Sequence, residues 1–244
     1  MKNILKKIGF PLAGLVLLSG LTLCYARFDR TAASAPAGKA DVVLIIDAGH
    51  GGTDGGAVSF HSHRESRINL EIARRTEQLA AFAGVCCVMT RESEELSYPA
   101  DADTIHEKKV YDTQRRTERI NDTENAVLLS IHQNQYSSET VTGAQVLYAK
   151  TDLSRQLAET LQSVFAQKLS SGQNRSASQI SEDIYIMNHI SCPAVLAECG
   201  FLSSPKEEEL LLSASYQIRL SAAMVSAYLQ NETLFIQYYN GESV

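Results

Sequence analysis

The sequence of 244 residues predicts an α/β fold, a single domain whose mostly parallel, mixed central sheet is covered by helices on both faces. The first observation is a set of short continuous apolar runs at 42–46, 85–89, 126–131 and 193–197. Runs of this kind are typical of strands buried on both faces. The second is that segments with apolar residues at helical spacing lie between these runs. Strands that alternate with helices favour a parallel, helix-covered sheet.

The elements can be predicted in order along the chain. The first half contains a strand at 42–46, an amphipathic helix at 66–83, a strand at 85–89, a basic helical stretch around 115–119, strands at 126–131 and 144–148, and a helix at 152–170. The second half contains a strand at 193–197 and a closing helix at about 215–230. Between these two, Ser204, Pro205 and Glu207 predict a helix start with a capping box.

The N-terminal segment predicts export. Residues 1–7 hold three lysines, and the 19 residues of 8–26 hold no charge, which gives about 28 Å of helix at ~1.5 Å per residue. A signal peptide or a membrane anchor over 1–26 would have this pattern, and the poor cleavage sites at 24–26 and 33–35 favour the anchor. The lysines would remain in the cytoplasm, so the body lies outside, anchored or secreted. A linker is expected over 27–40, the folded domain over 41–231 and a C-terminal tail over 232–244.

The charge balance excludes one class of partner. The chain has a formal net charge of −6, no Trp, and aromatic residues at only 7%. An anionic body repels phosphate backbones, and few aromatic rings are available to stack on bases. We therefore expect no nucleic acid as a partner.

The cysteines outside the N-terminal segment are Cys86, Cys87, Cys192 and Cys199. Neighbouring strand residues face opposite sides, so Cys86 and Cys87 cannot both join one partner. A disulfide between one of them and Cys192 or Cys199 stays open. The favoured interpretation is four free thiols that pack as small apolar groups.

Chemistry-bearing side chains collect where predicted strands end. His50 follows the first strand, His132 ends the third, Glu198 ends the late strand, and Glu65 precedes the first long helix. Two imidazoles and a carboxylate, with a second carboxylate nearby, are the composition of a catalytic zinc site. Zinc keeps one position for water, and a free carboxylate beside it can act as a general base.

Other interpretations exist for these residues and their neighbours. Each His or Glu taken singly could be a solvated loop residue or a cap, and the glycine-rich loop at 49–56 could be a series of turns. That loop lacks the lysine of a phosphate-binding motif. His61 and His63 could ligate a metal, although their segment favours a mobile loop. Cys199 could be a nucleophile, but its apolar surroundings favour packing.

Specific motifs add a family resemblance over about residues 42–230. The segment Asp47-Ala48-Gly49-His50-Gly51-Gly52 with Asp54, the segment from Glu65 to Leu70, Arg116 with Asn121, the segment Ser130-Ile131-His132-Gln133-Asn134, and the segment Pro193 to Pro205 occur in that order. Together they resemble the motifs of the zinc-dependent N-acetylmuramoyl-L-alanine amidases of the amidase-3 family. Ala48, Cys199 and the His61–His63 insertion depart from the family pattern, while the four functional positions are intact.

The resemblance implies a role for each matching residue. His50, Glu65 and His132 would hold Zn²⁺, and Glu198 would be the catalytic carboxylate in hydrolysis of the amide between the lactyl group of N-acetylmuramic acid and L-alanine. The substrate partner would be peptidoglycan. We expect Asn134 and Arg116 to orient substrate or brace the site.

The layout is similar to the germination-specific spore-cortex amidases within this family, which are also short and begin with an apolar anchor. This implies a role in cortex maturation and germination. The protein would then be exported across the cytoplasmic membrane to the forespore or cortex side. An activating protein partner is also compatible with this resemblance. Two alternatives remain: a zinc peptidase that cuts within the stem peptide, and an inactive wall-binding relative. The intact ligand set disfavours the second.

Overall fold

The computed structural model describes residues 41–169 and 175–243. Its strands are β1 (Val43–Ala48), β2 (Cys87–Met89), β3 (Ala126–Asn134), β4 (Gln145–Tyr148), β5 (Ser178–Gln179) and β6 (Ala194–Phe201). Its helices are α1 (Glu65–Phe82), α2 (Ile105–Asn121), α3 (Asp152–Lys168), α4 (Tyr185–Asn188), α5 (Pro205–Leu212) and α6 (Ala214–Tyr239).

The six strands form one mixed sheet in the order β2-β1-β3-β6-β4-β5. Neighbouring strands are parallel except at the β4–β6 pair, which is antiparallel. The predicted α/β class with a mostly parallel, mixed sheet is therefore confirmed. Strands β1, β3 and β6 lie side by side at the centre, so their carboxyl ends meet at one edge of the sheet, where open α/β sheets place ligands.

Alternation along the central strands sends successive side chains to different cores. Leu44 and Ile46 of β1 join a large apolar cluster with residues of α1, α3 and α6, whereas Ile45 between them joins a smaller cluster. The smaller cluster is completed by α2 and α4, through residues such as Ile120 and Met187. Helices thus cover both faces, as predicted, but the apolar cluster that they bury is much larger on one face than on the other. We call the side with the larger cluster the core face and the other the site face.

The helix starting at Pro205 begins where the sequence predicts, but the predicted capping box is wrong. The Ser204 side chain makes no capping hydrogen bond. The carboxylate of Glu207 accepts instead from the backbone N–H groups of Gly143 and Phe201, at 2.9 and 2.8 Å. A capping box forms at Thr104 and Glu107, at the start of α2. Glu207 thus binds one donor six residues away and one 64 residues away instead of the backbone of Ser204, and the spacing of Ser204 and Glu207 does not reveal this.

The closing helix α6 is longer than its pattern predicts, since it continues to Tyr239 and includes the first part of the predicted tail. Phe235, beyond the predicted end, is fully buried in the large cluster, and this packing explains the extension. Cys86, Cys87, Cys192 and Cys199 are free thiols, as favoured, but only Cys192 and Cys199 are buried, and Cys86 is exposed. The predicted N-terminal anchor and linker lie outside the described residues. Across 41–169 and 175–243, no helix combines the length and apolar character needed to cross a bilayer.

Candidate active site

Three potential metal ligands converge at the carboxyl edge of the sheet. His50 lies in the loop after β1, Glu65 is the first residue of α1, and His132 lies near the end of β3. One ligand atom from each residue can be chosen so that all lie within 4.8 Å of one another. His50 Nε2 is 3.3 Å from Glu65 Oε2, and His132 Nδ1 is 2.9 Å from Glu65 Oε1. This is the only such group of three or more His, Cys, Asp or Glu side chains among the residues described.

The Glu65 carboxylate is fixed in the middle of this group by backbone and side-chain donors. Oε1 accepts from the N–H of Gln133 at 3.1 Å and from Asn69 Nδ2 at 3.2 Å, and Oε2 accepts from the N–H of Ala57 at 2.9 Å. Burial alone would raise its pKa, but hydrogen bonds and charge interactions with His132 and His50 outweigh burial and hold the pKa well below its usual range. Glu65 is therefore a carboxylate anion in the fold.

His50 is held on its far side by Asp54. Its Nδ1 lies 2.9 Å from Asp54 Oδ2, which leaves Nε2 facing Glu65. Burial would lower the pKa of His50, but its hydrogen bonds with Asp54 and Glu65 raise it to about 9. The surrounding carboxylates thus stabilise positive charge at this position. A carboxylate on the outer nitrogen of a histidine is the usual support for a metal ligand.

Two glycines give the ligands room. A Cβ on Gly49 would lie 2.2 Å from the imidazole of His132. Gly56 has φ +65°, and a Cβ there would lie 2.5 Å from Glu65 Oε2 and 2.7 Å from the His50 ring. Side chains at these two positions would collide with all three candidate ligands, so glycine is needed here for the close approach of the loop to them.

Glu198 faces the same cleft from the neighbouring strand. It pairs in register with His132 across β3 and β6, so the two side chains emerge side by side on the site face. Its Oε2 is buried and has no hydrogen-bond partner among the residues the structure describes. Burial raises the pKa of Glu198 to about 7; His132 lowers it and Glu65 raises it further. A carboxyl group with this pKa can exchange a proton near neutral pH.

Asp47 and Arg116 form a buried layer beneath the ligands. Asp47 accepts from Thr90 and Ser130 hydroxyls, each at 2.7 Å, and from Arg116 Nη1 at 3.1 Å. Arg116 also pairs with Asp112 at 2.8 Å. Burial opposes ionisation of Asp47, but Arg116 and the two hydroxyls lower its pKa to about 2. Of the two roles expected for Arg116, these contacts are those of a residue that braces the site, although it also borders the cleft.

Asn134, the other residue expected to contact substrate, is not among the described residues that line the cleft. Its side-chain oxygen accepts from the neighbouring N–H of Gln135. His61 and His63 also lie away from the triad, and both face Glu208, at 2.8 and 3.9 Å. Cys199 points into the large apolar cluster, and burial raises the pKa of its thiol, which is inert packing rather than a nucleophile.

Two residues that support the candidate ligands have no role predicted from the sequence. Asp54 is part of a motif, and its position four residues after His50 is the one signal of their contact. Arg91 is buried and donates to the carbonyl groups of Ala48, Gly49 and Ser66, at 2.9, 3.2 and 2.6 Å. It thereby joins the His50 loop to the first turn of α1, and a lone arginine after a short strand carries no pattern that predicts this.

The chain resembles proteins of one activity in sequence and in structure. It is 31% identical over 233 residues to the germination-specific N-acetylmuramoyl-L-alanine amidase of Bacillus subtilis, covering 94% of this chain and 96% of the relative. The CwlD amidase of Clostridioides difficile, solved in complex with the GerS lipoprotein, superposes with a TM-score of 0.74 at 30% identity, over 79% of this chain and 99% of that one. An N-acetylmuramoyl-L-alanine amidase from Clostridium difficile 630 superposes with a TM-score of 0.69 at 26% identity, over 80% and 98%.

A family model adds a match that spans all six strands except the first residue of β1. The model described as N-acetylmuramoyl-L-alanine amidase matches residues 44–230, a range that includes every ligand candidate and Glu198. The chain therefore belongs to the N-acetylmuramoyl-L-alanine amidase family.

Proposed function

We propose that this amidase cleaves the amide between the lactyl group of N-acetylmuramic acid and L-alanine with Zn²⁺ held by His50, Glu65 and His132. Glu198 is the catalytic carboxylate. The observation that carries the proposal is the cleft itself, in which three converging ligand side chains lie beside a buried carboxylate oxygen with no described hydrogen-bond partner. The cleft is about 340 Å³ in volume, enough for a short segment of peptide and sugar.

The donor set fits zinc. Two imidazoles and one carboxylate are a known ligand set of catalytic zinc sites, which keep a fourth position open. Asp54 contacts Nδ1 of His50 and so fixes the orientation of the ring that would bind zinc. Three donors besides the histidines orient the carboxylate of Glu65. When bound, zinc supplies Lewis-acid polarisation of the amide carbonyl and lowers the pKa of water at the site.

Glu198 moves the protons of the reaction. In its carboxylate form it removes a proton from the attacking water, and the resulting carboxylic acid gives that proton to the leaving nitrogen of L-alanine. Burial raises the pKa of its carboxyl group above the usual range, which favours keeping the proton until the leaving nitrogen takes it.

We further propose that the substrate is spore-cortex peptidoglycan and that the enzyme works outside the cytoplasmic membrane. Support comes from the relative of Bacillus subtilis, whose name specifies germination and which matches almost the full length of this chain. The uncharged segment at 8–26 would provide export or an anchor. Because the Clostridioides difficile neighbour was solved with a lipoprotein, a protein partner is proposed here as well.

The experiment incubates the full chain, loaded with zinc, with purified peptidoglycan and identifies the products by mass spectrometry. We expect intact stem peptides that begin with L-alanine, and none after chelation or with Glu198→Gln. Cuts inside the peptide would contradict the proposal and indicate the peptidase alternative. For the cortex role, the full chain should restore muramic-δ-lactam to spores of a host that lacks its own enzyme of this type, and failure of an active enzyme to do so would contradict that role.

A further inference from the structure

A second cavity of about 360 Å³ adjoins the catalytic cleft. Helix α2 forms one wall with residues at helical spacing and α4 forms the other, and the lining residues are His106, Lys109, Val110, Thr113, Gln114 and Tyr185. Lys109, Thr113 and Tyr185 line the catalytic cleft as well. The two cavities therefore adjoin along these three side chains, and we call the outer one the α2–α4 groove.

The groove has firm walls. The Tyr185 ring stacks on the His189 ring with centroids 3.9 Å apart and an angle of 12° between the planes. Asn121, at the end of α2, donates to the His189 carbonyl at 2.9 Å and accepts from the N–H of Ser191 at 3.1 Å. These contacts attach α4 to α2, so the groove is formed before any ligand arrives, which lowers the entropic cost of binding.

The positive charge of Lys109 favours a ligand with a negative charge in the groove. Its ammonium lies 3.2 Å from Asp54 Oδ2, and its side chain is still 54% exposed. An ammonium has three donors, and Asp54 is the only ion-pair partner of Lys109 in the described part of the chain. The arginine that borders the cleft, Arg116, is occupied by Asp47 and Asp112. Lys109 can therefore donate to a second carboxylate while it stays paired with Asp54.

The two arms of the substrate differ in charge. Once the lactyl carboxyl is joined to L-alanine, the glycan arm carries no anion, whereas the peptide arm continues with a glutamate linked through its side chain, whose α-carboxylate is free. The ammonium of Lys109 and the Nδ1 of His50 both contact Asp54 Oδ2. Lys109 is therefore one carboxylate and one imidazole ring away from His50 Nε2, the atom that would face zinc. At about 3.5 Å per extended residue, a carboxylate on the second residue after the scissile bond can reach this position.

We propose that the α2–α4 groove binds the peptide arm of the substrate and that Lys109 pairs with the free carboxylate of its second residue, which makes Lys109 a specificity-determining residue. The inference rests on the proposed amidase function. Tyr185 and Val110 supply apolar surface for the peptide that continues along the groove.

The test compares two N-acetylmuramoyl tripeptides that differ only in the second residue, which carries either a free α-carboxylate or an α-carboxamide. We expect the wild-type full chain to prefer the acid by about tenfold in kcat/KM, typical of one charge-assisted contact. Lys109→Gln should lose about tenfold on the acid and less than about twofold on the amide, while Lys109→Arg keeps the preference. Lys108→Gln is the matched control, because Lys108 lies over the Tyr98 ring, away from the groove.

Binding separates failure of this inference from failure of the proposed function. Calorimetry with the free acid and amide tripeptides does not depend on turnover, and we expect the acid to bind about tenfold more weakly to Lys109→Gln than to the wild type. If both muropeptides are cleaved with equal kcat/KM, or if Lys109→Gln weakens acid and amide alike, the groove assignment is wrong and the amidase stands. If neither muropeptide is cleaved but the acid tripeptide binds through Lys109, the groove stands and the proposed reaction fails.

Discussion

The two faces of the central sheet are built from the same strands and yet differ in kind. On the core face, side chains of β1, β3 and β6 pack under α1, α3 and α6 in one large apolar cluster. On the site face, a small apolar cluster fills only the beginning of each strand, and polar residues take over toward the carboxyl ends. Thus Ile45 is followed two residues later by Asp47, and Leu196 by Glu198; Leu128 is followed two residues later by Ser130 and four residues later by His132.

The same strands can therefore carry a polar site on one face and a packed apolar core on the other. Because neighbouring residues of a strand point to opposite faces, His132 and Glu198 each have a core residue beside them, Ile131 and Cys199. Stability and chemistry should therefore be separable by substitutions one residue apart. Glu198 with Cys199, and Ile45 with Ile46, are such neighbours.

The largest effect should follow removal of a proposed ligand. We expect His50→Ala to lose zinc and hydrolysis together, because Glu65 and His132 alone leave an incomplete ligand set. Metal content by atomic absorption and turnover on peptidoglycan check this. His61→Ala is the matched control, since His61 faces Glu208 and should keep both metal and activity. Stoichiometric zinc in His50→Ala, with loss in His61→Ala, would reassign the ligand.

A smaller but still large effect is expected from Glu198→Gln. The substitution keeps the shape of the side chain and removes the group that transfers protons, so turnover should fall at least ~10²-fold with zinc retained. The control is Cys199→Ala, which alters the core face one residue away and should lower the midpoint of urea unfolding while the rate per folded molecule stays within about twofold. Near-normal turnover by Glu198→Gln would remove Glu198 from its proposed role.

The core face was the easier one to predict from sequence. Continuous apolar runs located β1, β3 and β6, because two-sided burial leaves a pattern within the strand itself. The short strand β5 and the single turn α4 carry no such pattern, and α4 forms a wall of the cleft. The boundary of α6 was missed for a similar reason, since Phe235 is helical because of its tertiary packing.

The site was predictable only where its residues follow strands or match a family motif. His50, His132 and Glu198 sit at strand ends, and chemistry suggested them before any resemblance did. Glu65 opens a helix, and its approach to the histidines depends on Gly56 and on the N–H groups of Ala57 and Gln133. Lys109 is part of the site because α2 packs with Lys109 facing Asp54. This ion pair exists only in the packed fold, so no local sequence pattern predicts it.

The third prediction concerns acid stability on the site face. The pKa of Asp47 is about 2 in the fold against an ordinary value of 3.8, which corresponds to roughly 2 kcal/mol of stability at neutral pH. A lowered pKa stabilises the fold above the unfolded value, and that stabilisation is lost as pH falls from about 4 toward 2. Asp47→Asn should therefore be about 2 kcal/mol less stable than the wild type at pH 7, and the gap should narrow below pH 4. Urea titrations at pH 7 and pH 3 measure it, and a gap independent of pH would show that the charge of Asp47 does not stabilise the fold.

The smallest effect tests whether the two faces differ in packing as well as in chemistry. Ile45 and Ile46 are neighbours on β1, both fully buried, with Ile45 in the small cluster and Ile46 in the large one. Ile→Val should cost about 0.5–1.5 kcal/mol at either position, because one buried methylene is removed in each case. If the site face is packed as tightly near its strand starts as the core face, the two values from urea unfolding will agree within about 0.5 kcal/mol. A clearly smaller cost for Ile45→Val would mean that the site face is loosely packed even beneath its polar end, and that Asp47 and Arg116, rather than apolar packing, hold the cleft in shape.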